Sequence, residues 1–291
     1  MSAATIAATA AVTATATIAA TAATAATTAT TATTANAATA VTPRATFAYL
    51  LRLGDLSLVL AQRLGEWVGH SPALEEDLGV ANIALDLIGQ ARMLLSYAGE
   101  VEGRGHGEDE IAFLREHGEY LNATLAEQPN GDFGQTIVRQ VLIDAFQLEL
   151  YERLAASADE RLANIAAKTV KETRYHLRYS AGWLVRLGDG TAESHARVQS
   201  ALERLWPLTA ELFAADTVDR AMTDLRVAPP LEQVRSAWSA RIDAILAEAT
   251  LERPRDQSYA WFGKRGQHSE HLGYLLAEMQ YMQRTYPGAR W

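Results

Sequence analysis

No cysteine occurs among the 291 residues. That absence removes disulfides, thiolate metal sites and a cysteine nucleophile together, so any site must be built from oxygen and nitrogen donors. A basic run is missing too. Acidic residues outnumber basic ones by 35 to 26, the formal charge is −9, and no block of cations is available to neutralise a phosphate backbone. The chain is read as having no nucleic-acid partner. No stretch reaches the roughly 18 uninterrupted apolar residues of a membrane span, and no period-2 alternation marks a strand. No phosphate-binding loop, GxSxG elbow or dinucleotide fingerprint follows a strand either. The expectation is a cytoplasmic protein without membrane contact and without its own nucleotide or flavin.

Charge is absent altogether from residues 1–42, which are almost wholly Ala and Thr. This stretch lacks the Lys/Arg start and Leu-rich centre of a signal peptide and the Arg of a transit peptide, so export is not supported. Ala favours helix, Thr opposes it, and nothing large enough to anchor a core is present. We expect a disordered or loosely helical low-complexity tail over 1–44 and one helical domain over 45–291. An over-extended start codon accounts for the tail equally well.

From Phe47 onward the apolar spacing is helical. It predicts helices over 46–68, 74–98, 109–127, 133–157, 159–187, 191–213, 231–249 and 268–285. The punctuation agrees: "GHSPALEED" offers Ser71 as N-cap with Pro72 at the first helical position, and "QPNGD" and "LGDGT" break the chain. Two pairs of long helices joined by short turns should fold back as hairpins. Packed together they make an all-α, ferritin-like four-helix bundle with additional C-terminal helices, and the helix over 109–127 serves as the crossover.

Such bundles hold di-iron sites in which two helices give a Glu each and the other two give Glu-x-x-His each. Asp55 and Asp86 both stand roughly 23 Å from the first hairpin turn, and Asp144 and Glu172 stand at matching heights in the second. The four carboxylates can share one layer. Asp144 falls on the stripe Ile137, Val141, Asp144, Leu148, Tyr151, and His176 on Ile165, Thr169, Thr173, His176, Ser180, Trp183. A working centre needs imidazole three residues after each second carboxylate, and there stand Gly89 and Tyr175. His176 is displaced by one position, about 100° around the helix. We therefore expect no metal site and no catalytic residue, only a vestigial carboxylate layer. Its charges would be met by Arg92, Arg139, Lys168 and Arg174, unless some of the acids lie on a solvated face.

Two histidine and basic clusters are read more plainly. His268, Glu270 and His271 in "HSEH" point in different directions and suit capping and interface contacts. "GKRG", Gly263 to Gly266, reads as a solvated basic loop, with the phosphates of coenzyme A as a weaker alternative. In the last helix Leu272, Leu275, Leu276, Met279 and Met282 form one apolar stripe, with Tyr274, Tyr281, Tyr286, Arg284 and Trp291 left over for an interface.

The segments "EDLGVANIALDLIGQAR", "EQPNGDFGQTIVRQVLIDAFQLELYERL", "KETRYHLRYSAGWLVRLGDG" and "HSEHLGYLLAEMQYMQRTYPGARW" resemble the structural (C) subunits of the ring-1,2-phenylacetyl-CoA epoxidases. The resemblance runs from about Tyr49 to Trp291 and leaves out the Ala/Thr tail. It implies a ferritin-like, non-catalytic subunit of a bacterial multicomponent oxygenase that uses O2 and NADPH. In that family the di-iron centre belongs to a catalytic A subunit, and electrons arrive through a flavin and iron–sulfur reductase. The other readings open at this stage are an independent di-iron carboxylate enzyme using Asp55, Asp86, Asp144, Glu172 and His176, and a helical interaction module with no oxygenase role. For the tail, deletion of residues 2–42 should leave the melting temperature nearly unchanged, because it holds nothing that can add core burial; a thermal melt of the shortened chain checks this.

Overall fold

The computed structural model describes residues 43–257 and 262–289. Residues 1–42 of the expected tail and Trp291 therefore lie outside the described residues, while Pro43 and Arg44, expected in the tail, begin the first helix. The chain divides into two units, Met1–Arg44 and Ala45–Trp291, and the second carries the fold. Among the described residues every regular element is helical. They are α1 (43–67), α2 (Leu74–Glu102), α3 (Glu108–Phe113), α4 (Phe133–Leu154), α5 (Glu160–Gly188), α6 (Ala192–Leu205), α7 (Ala210–Phe213), α8 (Thr217–Asp224), α9 (Leu231–Glu248), α10 (Glu270–Met279) and α11 (Tyr281–Thr285).

The bundle consists of α1, α2, α4 and α5, in two hairpins. Gly54 brings α1 close to α2: a Cβ there would stand 2.6 Å from Leu95 Cδ2, so a larger residue would have to displace the Leu95 side chain. Across the hairpins, Ser57 of α1 meets both Gln90 of α2 and Gln147 of α4. Helix α4 is buried without a break from Thr136 to Tyr151, its polar residues Arg139, Gln140, Asp144, Gln147 and Glu149 included, as a helix at the middle of a three-layer packing must be. Against its bundle face lies α5. Against its other side lie α6 and α9, where Trp238 Nε1 donates to the Leu142 carbonyl at 3.0 Å. Trp238, Phe213 and Phe146 continue this contact as rings 5.0 and 5.7 Å apart.

Local signals set most boundaries. Asp132 and Asp159 accept from Gln135 and Leu162 N–H at 2.9 Å and start α4 and α5. Gly103, at φ 72°, ends α2. The expected Ser71 cap is not used. Helix α2 begins at Leu74 after an Ala73 cap, and Asp77 turns its carboxylate back to accept from Gly69 N–H at 2.8 Å. Pro207 divides the predicted 191–213 helix into α6, a 3-10 turn and α7. The last predicted helix is split at Gln280 into α10 and α11.

The largest correction concerns the crossover. A helix over 109–127 is predicted, yet α3 stops at Phe113 and the chain then runs as a strap through one 3-10 turn, His117–Glu119, to Asp132. Much of the strap is buried, with Tyr120, Asn122, Thr124, Leu125, Ala126 and Glu127 sealed from solvent. Backbone buried without a helix needs outside partners, and side chains far away in sequence provide them. Asp55 accepts from Leu121 N–H at 2.8 Å, and Glu211 from Thr124 N–H at 2.8 Å. Arg63 donates to the Glu127 carbonyl at 2.8 and 3.0 Å. Arg139 and Asn130 close the exit of the strap through the Gln128 and Arg63 carbonyls. These bonds replace the i to i−4 ladder, which is why helical spacing misleads here.

Arg115 is the anchor of the strap. Its guanidinium makes a two-pronged pair with the fully buried Asp55 and also donates to the Ile111 and Glu119 carbonyls. Arg115→Met should cost about 3 kcal/mol or more, since it leaves a carboxylate buried without its cation. Urea unfolding checks the loss, and limited proteolysis should show new cleavage between residues 114 and 121.

Candidate functional site

Halfway along the bundle the core turns polar. Asp144 on α4 is fully buried, accepting from Gln140 Nε2 at 2.7 Å and from Ser180 Oγ of α5 at 2.8 Å. His176, also fully buried, presents Nε2 to Asp86 Oδ2 of α2 at 3.0 Å. One turn along, Gln90 Nε2 donates to Glu172 at 3.1 Å, Lys168 approaches the same carboxylate at 3.7 Å, and Ser57 joins Gln90 to Gln147. The pairs 86–176 and 90–172 run in opposite senses, as the antiparallel packing of α2 on α5 demands. Burial pushes the Asp144 carboxyl up to about 6, while the nearby His176 and the Ser180 and Gln140 hydrogen bonds pull the other way. Within this layer His176 Nδ1, Thr173 Oγ1 and Gln147 Oε1 find no hydrogen-bond partner among the described residues.

The structure brings together three of the four predicted carboxylates and removes the fourth. Asp86, Asp144 and Glu172 belong to the polar layer; Asp55 does not. Ser57, two positions and about 200° further round α1, is the residue that faces the layer. Asp55 points instead to the strap and Arg115. Asp86 is also not enclosed, with 41% of its side chain exposed.

Gly89 and Tyr175 do not occupy inward positions. A Cβ at Gly89 would meet no atom within 4 Å, and Tyr175 is 43% exposed. On both helices the inward register is one residue later, at Gln90 and His176, and α5 reaches it as one continuous helix without a bulge. Both sequence stripes are buried where spacing put them, from Ile137 to Tyr151 and from Ile165 to Ser180.

The expected cations are mostly elsewhere. Arg92 pairs with Glu108, Arg174 with Glu152, and Arg139 donates to the Gln128 carbonyl and the Asn130 side-chain oxygen; only Lys168 meets its expected carboxylate. Asp144 is satisfied by a hydroxyl and an amide, neither of which carries charge. Among the described residues no three His, Asp or Glu side chains converge as a metal-ligating group. A two-metal cage needs six such donors on four helices, and here α1 contributes a hydroxyl and α2 an amide where carboxylate and imidazole belong.

Sequence reasoning missed two buried ionic clusters at the bundle end. His268 is held between Glu127 Oε2 at 2.8 Å and the Tyr120 carbonyl at 2.7 Å. Burial works against its charged form, but Glu127 outweighs that and raises its pKa. Lys264, expected on a solvated loop, is buried against Asp219 at 3.0 Å and the Ala214 carbonyl at 2.9 Å. Arg52 of α1 completes this cluster through Asp216 and Asp219. These partners are far apart in sequence, so no local spacing announces them. The last helix behaves as its stripe predicts through Leu272, Leu275 and Leu276, which are buried, while Met282, Tyr274, Tyr281 and Tyr286 remain exposed.

Known proteins resemble the chain along most of its length. The family model described as phenylacetic acid catabolic protein matches residues 17–291. The chain is also similar to the C subunit of 1,2-phenylacetyl-CoA epoxidase from Escherichia coli (strain K12), with 54% identity over 244 residues, covering 84% of this chain and 98% of that protein.

Asp144 has a pH signature of its own. Between its ordinary value of 3.8 and about 6, the folded protein keeps a proton that the unfolded chain releases. Its contribution to stability therefore falls as pH rises through that window and stays low above it. The shift corresponds to about 3 kcal/mol. Asp144→Asn should be more stable than the unaltered chain by about 2 to 3 kcal/mol at pH 8, with the difference vanishing near pH 4. Urea unfolding of both chains across that range checks it.

Proposed function

The chain belongs to the phenylacetic acid catabolic protein family, and from that membership we propose that it is the non-catalytic structural subunit of the multicomponent oxygenase that epoxidises the aromatic ring of phenylacetyl-CoA. The observation that carries this reading is likeness along 98% of the C subunit of an epoxidase. The chemistry of the bundle centre supports it. Ser57, Gln90, Gln147 and Ser180 are neutral, and the remaining acids are engaged by His176, Gln90, Gln140 and Ser180.

In this reading the enzyme is the assembly, a cytoplasmic hetero-oligomer acting in phenylacetate degradation. The di-iron centre sits in a ferritin-like catalytic A subunit, which this chain supports. NADPH delivers electrons through a reductase with flavin and an iron–sulfur cluster; one atom of O2 enters the ring and the other leaves as water. This chain holds none of those cofactors, and its packed bundle acts as a rigid body for the partner to fold against.

Two measurements test it. The purified chain, reconstituted with ferrous iron and desalted, should retain no stoichiometric metal; about two irons per chain, lost on Asp144→Ala, would favour an independent di-iron enzyme. Co-expressed with the catalytic subunit, a tagged copy of this chain should pull that subunit down. With the reductase supplied, phenylacetyl-CoA-dependent NADPH oxidation should then require both.

A further inference from the structure

The outer face of the α2–α5 pair has features that the bundle itself does not explain. Helix α2 is long and apolar enough in composition to cross a membrane, yet fewer than half of the residues in its most apolar stretch are buried. Leu78 and Leu85, seven residues apart and so on one side of the helix, are 57% and 64% exposed. Four residues beyond Leu85 on the same side stands Gly89. Glycine inside a helix costs roughly 0.5–1 kcal/mol relative to alanine, and nothing among the described residues requires it, since a Cβ there would meet none of their atoms within 4 Å. Glycine at such a point admits the close approach of a backbone from outside.

Beside this seam, α5 presents Lys171, Tyr175 and Arg178 to solvent. The two carboxylates in the stretches 78–92 and 168–182 are Asp86 and Glu172, and both are engaged within the chain. Lys171 and Arg178 have no carboxylate partner among the described residues; Arg178 rests on the Tyr175 ring instead. Two cations without carboxylate partners beside an apolar seam, on a chain of net charge −9, call for a partner with an acidic edge. Within the stretches 78–92 and 168–182 a second copy offers no carboxylate that is not already engaged within its own chain.

We propose that the α2–α5 face is the docking surface for the catalytic subunit, which seats a helix with an apolar seam and acidic flanks along Leu78, Leu85 and Gly89. This deepens the functional reading above and rests on it. The partner's helix crosses closest at Gly89, with its carboxylates reaching Lys171 and Arg178. The exposed Tyr274 and Tyr281 of the C-terminal helices lie outside the contact.

Gly89→Leu is the test, because it places bulk at the point of closest approach while replacing a poor helix former with a good one. The variant should fold with an unchanged or higher melting temperature and lose affinity for the catalytic subunit by roughly tenfold or more. Lys171→Glu with Arg178→Glu should slow association and flatten its salt dependence. Full affinity in the folded Gly89→Leu chain, or loss of binding on Tyr274→Ser with Tyr281→Ser instead, would overturn the surface while leaving the functional reading intact. No complex with the unaltered chain would overturn both. Self-association or retention on lipid vesicles through this face, abolished by Gly89→Leu, would assign the face to another occupant and overturn the proposal.

Discussion

A backbone group buried without a hydrogen bond is among the more costly things a fold can contain, and this constraint organises the molecule. The strap between α3 and α4 runs through the interior without a helical ladder. Asp55, Arg63, Arg139 and Glu211 are therefore committed to its N–H and carbonyl groups. Those commitments explain why so many charged side chains are sealed at one end of the bundle. Glu127, for example, turns back to Asn122, His268 and Ser269 N–H, so the strap and the C-terminal segment are secured by the same carboxylate.

The middle of the bundle follows the same rule with different means. A cluster of buried carboxylates holds charges that must be neutralised, shared or removed. Here all three happen. Asp86 takes an imidazole, Glu172 an amide and a lysine at the solvent edge, and Asp144 has burial raising its affinity for a proton. The position on α1 that could have closed the layer is a serine. A polar layer of this type fixes the register of four helices.

How far the sequence foretold this can be traced residue by residue. The long helices were legible because each buries a continuous stripe, and the stripes through Asp144 and His176 put both side chains inside. The architecture and its hairpins followed from those stripes and the short turns. Three things were not legible. The strap has helical spacing but takes its hydrogen bonds from residues as distant as Glu211, and no local pattern records that. Asp55 and Ser57 are both polar, and which of the two faces the layer depends on a helix rotation that spacing does not resolve. Lys264 reads as a solvated cation because its partner Asp219 lies on α8, a helix that was not anticipated.

The uninterrupted burial of α4 has a consequence for how the molecule opens. Because α5 covers one of its sides and α6 with α9 the other, α4 has no face that can be uncovered without dismantling a layer. The bundle and the C-terminal helices thus share their central element, and neither can melt while the other stays whole. Amide protons of α4 should then be among the last in the chain to exchange with solvent, released only when the whole domain unfolds at once. A subunit built this way has no soft half: whatever its partner does during turnover, the strain is met by the entire domain.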